Sequence, residues 1–186
     1  MQQTQRYLPG TTVRYEEGKD AMEVLDGLFS GGGLVLSQVT ALTGLEGYMV
    51  QNWIKRGFMT PVVKKRYSNE QFCRLITINM LRDSLSLPEI AGLLSVINGQ
   101  LDDESDDLID DSLLYVYFTR TLAHAAHRTP TCFRKAAEEL TADYAEPLAG
   151  GKERLIGVLC VMCTAYTASE MNKEAKELLA GLPAKD

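Results

Sequence analysis

No run of apolar residues in this chain approaches the roughly 18 to 20 that span a bilayer. The longest candidate, Leu155 to Ala168, is short and contains Thr164, Tyr166 and Thr167, so it is not expected to be transmembrane. Cysteine is scarce: Cys73, Cys132, Cys160 and Cys163 follow an N-terminus, MQQTQRYLPG, that lacks the apolar core of a signal peptide. A cytoplasmic chain with reduced thiols and no disulfides is expected. There are two histidines, His124 and His127, and no Ser-His-Asp order, nucleophile elbow or catalytic carboxylate pair, so the chain reads as a non-enzyme without a cofactor. The triplet Gly31 to Gly33 has no preceding strand and no Lys-Ser/Thr after it, which leaves a flexible joint and not a phosphate loop. The acidic run Leu101 to Asp111, with Asp102, Asp103, Glu104, Asp106, Asp107 and Asp110, lacks the glycine and glutamate that a calcium loop needs at its sixth and twelfth positions. A zinc site from His124, His127, Cys132, Cys160 and Cys163 is disfavoured, because structural zinc sites place their cysteine pairs on knuckles and not inside an apolar helix. No metal is expected.

Charge is present but unevenly spread. The 186 residues carry a formal net charge of −6. Residues 31–100 nevertheless hold seven Lys/Arg against four Asp/Glu, whereas residues 101–186 hold nine against sixteen. A basic centre beside an acidic tail can still engage a polyanion locally, since charges interact over only about 8 Å at physiological salt.

Taken in order, residues 1–18 read as an extended arm that needs a partner to be ordered, with Pro9, Gly10 and Gly18 as breakers. Lys19 to Phe29 then has helical spacing. Ser37 is placed to cap a helix through Val39 and Leu42 that stops at Gly44, and a second helix follows within a few residues. In that second helix, residues 47–56, Val50, Trp53 and Ile54 fall on one face at i, i+3, i+4 spacing and should be buried. Tyr48, Gln51, Asn52 and Lys55 point the other way, and they are residue types that hydrogen-bond base edges and phosphates. Lys55 and Arg56 sit at the negative end of the helix dipole, and Gly57 ends it. An extended stretch from Phe58 leads to Lys64, Lys65 and Arg66, then Tyr67, as a basic wing over residues 58–67. Helices are expected over Asn69 to Ser84, from Pro88 to Asn98, over Ser105 to His127, over Thr131 to Tyr144, over Lys152 to Ala168 and over Glu170 to Leu182. The fold class is therefore all-α: a winged helix-turn-helix with a short β wing, then a helical bundle.

The segment LSQVTALTGLEGYMVQNWIKRGFMTP resembles the MerR pattern of helix, TG, recognition helix, glycine with two apolar residues and a proline-containing wing. KKRYSNEQFCRLITINMLRDSLSLPEIAGLL continues the likeness. The recognition helix, PVVKKRYS and the acidic helical C-terminal part together are similar to a bacterial family known only as a domain of unknown function, over roughly residues 5 to 182. The resemblance implies a DNA-binding surface of Ser37, Tyr48, Gln51, Asn52, Lys55, Arg56, Lys64, Lys65, Arg66 and Tyr67. The chain departs from MerR proteins at Tyr48, where they usually carry Arg, and at QNWI, where they have RYYE. Pro130, Pro147 and the Gly150-Gly151 pair also interrupt the long helix through which they dimerise, so dimerisation must use another surface.

The expected organisation is an N-terminal arm and short helix (1–30), a DNA-binding unit (34–99) and a helical dimerisation or effector unit (101–182). The expected partners are double-stranded DNA, a second copy of the chain and an effector, small molecule or protein, at the C-terminal helices; no membrane is expected. The function that follows is sequence-specific transcriptional regulation as a dimer. The competing reading is an interaction module that keeps the winged fold without binding DNA. A third is a metal- or thiol-sensing regulator using Cys132, Cys160 and Cys163.

Overall fold

The computed structural model describes residues 6–15, 19–101 and 107–182; Asp102 to Asp106, in the acidic run, lie outside the described residues. Within them the chain is mainly helical: a two-residue hairpin pair, β1 (Arg6–Tyr7) and β2 (Arg14–Tyr15), then α1 (Ala21–Phe29), α2 (Leu36–Thr43), α3 (Gly47–Lys55), α4 (Asn69–Leu81), α5 (Leu87–Asn98), α6 (Asp111–His124), α7 (Pro130–Leu140) and α8 (Gly151–Ala180). Short polar side chains set four of the helix starts by satisfying the amide groups that a first turn leaves open. Asp20, Ser68, Asp110 and Thr129 accept from the backbone of Met22, Gln71, Leu113 and Cys132. Ser68 and Gln71 also close the reciprocal pair, Gln71 Oε1 accepting from Ser68 N at 3.1 Å.

Several boundaries differ from the sequence reading. Ser37 is not a cap: α2 begins behind Val35, whose N–H donates to Gln38 Oε1 at 3.0 Å, and Ser37 stands exposed in the first turn. The helix expected from Ser105 starts at Asp111, because the Asp110 carboxylate caps it there. It ends at His124, and Pro130 opens α7 instead of merely closing α6. The two C-terminal helices are one helix of 30 residues, since nothing between Ala168 and Glu170 breaks it.

α4 is the hub. Its residues Phe72 to Ile78 are all buried, and it packs against α2, α5, α6 and α8. One apolar cluster runs from Leu8 through α4 to Ala165 on α8, with Tyr115, Phe118 and Tyr166 in ring contact where α6 meets α8. α8 has the length and composition to cross a membrane, but Leu155, Ile156, Val158, Leu159, Met162 and Cys163 are buried in the protein's own core.

Residues 6–15 of the N-terminal arm are held by the chain itself. Leu8 is buried, Tyr115 Oη donates to the Pro9 carbonyl at 2.8 Å, Asn79 Nδ2 to the Gly10 carbonyl at 2.9 Å, and Thr12 Oγ1 to the Ala41 carbonyl at 2.9 Å. Gly10 makes this docking possible: it sits at φ +76°, and a Cβ there would lie 2.5 Å from the Ile76 carbonyl oxygen. Gly10→Ala combines left-handed strain with backbone overlap, and should lower stability by roughly 1–3 kcal/mol in denaturant melts. An unchanged midpoint would mean that the arm is not seated on α4.

Candidate nucleic-acid interface

α2 and α3 are joined by Gly44, Leu45 and Glu46, with Gly44 at φ +69° and Leu45 buried between them. This tight turn fixes which face of α3 is free. Val50 and Trp53 are 0% and 3% exposed, with Ile54 partly buried beside them. Tyr48 is 71% exposed, and Gln51, Asn52 and Lys55 are exposed with it. The outer face of α3 is thus a row of one phenol, two amides and one ammonium, on a helix held rigidly from behind.

After α3 the chain turns through Gly57 (φ +76°), with Gly57 N donating to the Ile54 carbonyl and Phe58 N to the Trp53 carbonyl. The Arg56 guanidinium lies over the Phe58 ring, 4.9 Å from its centroid. The loop that follows is clamped to α4: Arg74 Nε donates to the Phe58 carbonyl at 2.9 Å, and Gln71 Nε2 to Thr60 Oγ1 at 3.0 Å and the Pro61 carbonyl at 3.1 Å. Val63 and Arg66 then pair across a two-residue turn in which Lys64 and Lys65 both take positive φ, 51° and 59°. Such turns favour asparagine and glycine; holding two lysines there costs roughly 1–2 kcal/mol per residue. Leu34 and Tyr67 pair at the base of this hairpin, with N–H to O distances of 3.0 and 2.7 Å. Gly33 accommodates the close approach, because a Cβ on it would come 2.8 Å from the Tyr67 carbonyl oxygen.

Of the residues assigned to a DNA surface, Tyr48, Gln51, Asn52, Lys55, Arg56, Lys64, Lys65 and Arg66 are exposed on α3 and the hairpin. Arg66 Nη1 also donates to the Gly33 carbonyl at 2.6 Å, so its guanidinium braces the hairpin. Tyr67 is corrected: it is 3% exposed, its ring turned into the core by the pairing with Leu34, and it presents no side chain to a partner. Sequence reasoning missed Gln71 and Arg74, which position the loop. The signal was available, since an arginine amid the apolar residues of α4 needs a reason to be there.

The other chemistry weighed from sequence stays dispersed. Among the described residues no three His, Cys, Asp or Glu side chains gather as metal ligands. His124 pairs with Glu139 at 2.7 Å, and the four cysteines are free. Burial pushes the Cys73, Cys160 and Cys163 thiols up, away from the thiolate that metal binding or redox sensing needs. A groove of about 450 Å³ lies beneath the N-terminal hairpin, lined by Leu8, Thr11, Asn79, Arg82, Tyr166 and Lys173.

A family model described as "Domain of unknown function (DUF1836)" matches residues 33–118, the stretch from the base of the hairpin into α6. The "Uncharacterized protein YkrK" of Bacillus subtilis (strain 168) is 28% identical over 146 residues, covering 76% of this chain. The aligned region spans 62% of that relative's length. No solved structure matches the chain.

Proposed function

We propose that this chain is a cytoplasmic, sequence-specific DNA-binding transcriptional regulator of MerR-like, winged helix-turn-helix architecture. In this reading residues 34–99 form the DNA-binding unit, α3 lies in the major groove, and the Lys64-Lys65 turn grips flanking phosphates. Residues 101–182 supply the dimer and take any effector.

The observation that carries the reading is the pairing of an outward row of hydrogen-bonding side chains on α3 with a clamped hairpin whose two lysines occupy strained, left-handed positions. Strain of this kind is kept where the side chains are needed. Gln51 and Asn52 can each make the two-point contact that reads adenine, while the lysines carry no sequence information and set affinity. A two-fold dimer would engage half-sites about one helical turn apart or a multiple of it.

The test is selection of bound DNA from a random pool by the full-length chain, at low and at physiological salt. Recovery of a two-fold motif is the expected result. Gln51→Ala should then lose about 1–3 kcal/mol on that motif and relax preference at one position. Recovery of nothing at either salt would move the assignment to a protein-interaction module on the same fold.

A further inference from the structure

Where the loop before the hairpin meets α4, α5 and α6, a cavity of about 70 Å³ gathers more negative charge than the side chains around it neutralise. Its described walls include Glu70 at the start of α4, Asn98 at the end of α5, Asp107, and Asp110 with Asp111 at the start of α6. Arg74 is the cation among them, one guanidinium to four carboxylates. Crowding charge of one sign where water is largely excluded is costly unless counter-charge joins it.

The contacts within the cavity are long or unmade. Arg74 Nη1 lies 3.2 and 3.4 Å from the two Asp111 oxygens, where a charge-assisted bond closes to about 2.7–2.9 Å. Asn98 is 6% exposed, and its Nδ2 donates to Asp111 Oδ1 at 3.3 Å. Its Oδ1 is buried and meets no donor among the described residues, a condition that folded proteins seldom leave standing. Turning the amide over gives no relief, since it would set that oxygen against the Asp111 carboxylate. Burial, and after it the negative charges of Asp111, Asp110 and Glu70, push the Cys73 thiol up, so carboxylates from two helices bear on one point.

We propose that this cavity binds a hard divalent cation of the Mg²⁺ class, with Asn98 Oδ1 and the Asp111 carboxylate as direct ligands and the other carboxylates holding its bound water. A lone water would satisfy the amide oxygen and leave the charge as it is; a divalent ion answers both. Among the described residues no three carboxylates converge at ligand distance, which suits an ion that keeps several waters and takes one or two carboxylates. The donors come from different helices, so this is not the contiguous calcium loop that the acidic run fails to form. Met59 and Thr60 of the loop, with Gln71 and Arg74 that clamp it, complete the wall, and the ion thus fastens the loop that carries the hairpin. The site does not rest on the DNA reading and is tested without DNA.

Mn²⁺ is the probe, because it accepts the same oxygen ligands and broadens nearby NMR signals. With sub-stoichiometric Mn²⁺ added to the isotope-labelled full chain, the amide signals of Thr60, Gln71, Asn98 and Asp111 should vanish first and return with excess Mg²⁺. Loss confined to the acidic run, or loss in no order, would overturn the proposal by showing diffuse attraction to surface carboxylates. Asn98→Asp puts a charged ligand where an amide stands. In chelator this variant should melt below the parent, because two carboxylates then face each other. With Mg²⁺ it should regain more than the parent gains, and it should bind Mn²⁺ about tenfold tighter or more. If Mg²⁺ raises its melting temperature no further than KCl of equal ionic strength does, the oxygen at this position meets water and not a metal ion, and the proposal falls.

Discussion

Replacing Arg74 by methionine should destabilise the fold by about 3–5 kcal/mol, more than any exposed substitution on α3 or the hairpin. Arg74 is 7% exposed; its Nη1 lies 3.2 Å from Asp111 Oδ2, and its Nε holds the Phe58 carbonyl. Asn98 Nδ2 donates to the same carboxylate at 3.3 Å, and a small cavity of about 70 Å³ opens beside the pair. Removing the cation strands a carboxylate in a desolvated site and unclips the loop that carries the hairpin. Burial already pushes the Asp111 carboxyl above its ordinary value, with Arg74 pulling the other way. Without Arg74 the upward push is unopposed. A carboxyl raised in the folded state binds more protons there than in the unfolded chain, so stability falls as pH rises above the ordinary carboxylate value. The deficit of Arg74→Met should therefore be smaller at pH 5 than at pH 7, and adding Asp111→Asn should recover most of it at pH 7. Urea melts of the parent and the two variants at both pH values check this. A deficit independent of pH and not relieved by Asp111→Asn would place the loss in packing and in the Phe58 carbonyl, not in the stranded charge.

This pair also marks what the sequence does and does not disclose. The faces of α3 were readable because Val50 and Trp53 repeat at helical spacing between a glycine-bearing turn and Gly57, all within one short window. The same holds for α4 and α5, whose Ser68–Gln71 and Ser86–Glu89 pairs are local signals. Contacts that close over long separations left no such trace. Tyr67 reads as a wing aromatic until the Leu34 strand pairs with it and turns its ring inward. Asp111 reads as one more carboxylate in an acidic run until Arg74 meets it across 37 positions. The arm reads as unpartnered until Tyr115 and Asn79 take its carbonyls. α8 reads as two helices in the sequence because its composition changes at Ser169, from apolar nearly all round to largely polar. That change marks where its surroundings change, not where the helix ends.

The wing lysines give the second large effect, and it separates a functional strain from an idle one. In a DNA-bound dimer the Lys64 and Lys65 side chains of both copies would neutralise four phosphates. Each such contact contributes about 0.9 to the slope of log affinity against log salt, so Lys64→Ala with Lys65→Ala should flatten that slope by about 3.6. At 0.15 M salt the same terms amount to about a 10³-fold loss of affinity on every sequence; a monomer, with two contacts, would lose only about 30-fold. The size of the loss thus reports how many copies bind. Lys64→Asn with Lys65→Gly tests the strain directly, because both residues sit at positive φ, where asparagine and glycine are at ease. This variant should lose DNA affinity as the alanine pair does while melting at a higher temperature than the parent, by roughly 1 kcal/mol or more of added stability. Tighter folding with weaker binding is the signature of side chains held in place for a polyanion. If the turn is stabilised and DNA affinity does not change, the lysines are only a solvated turn and α3 must act without a wing.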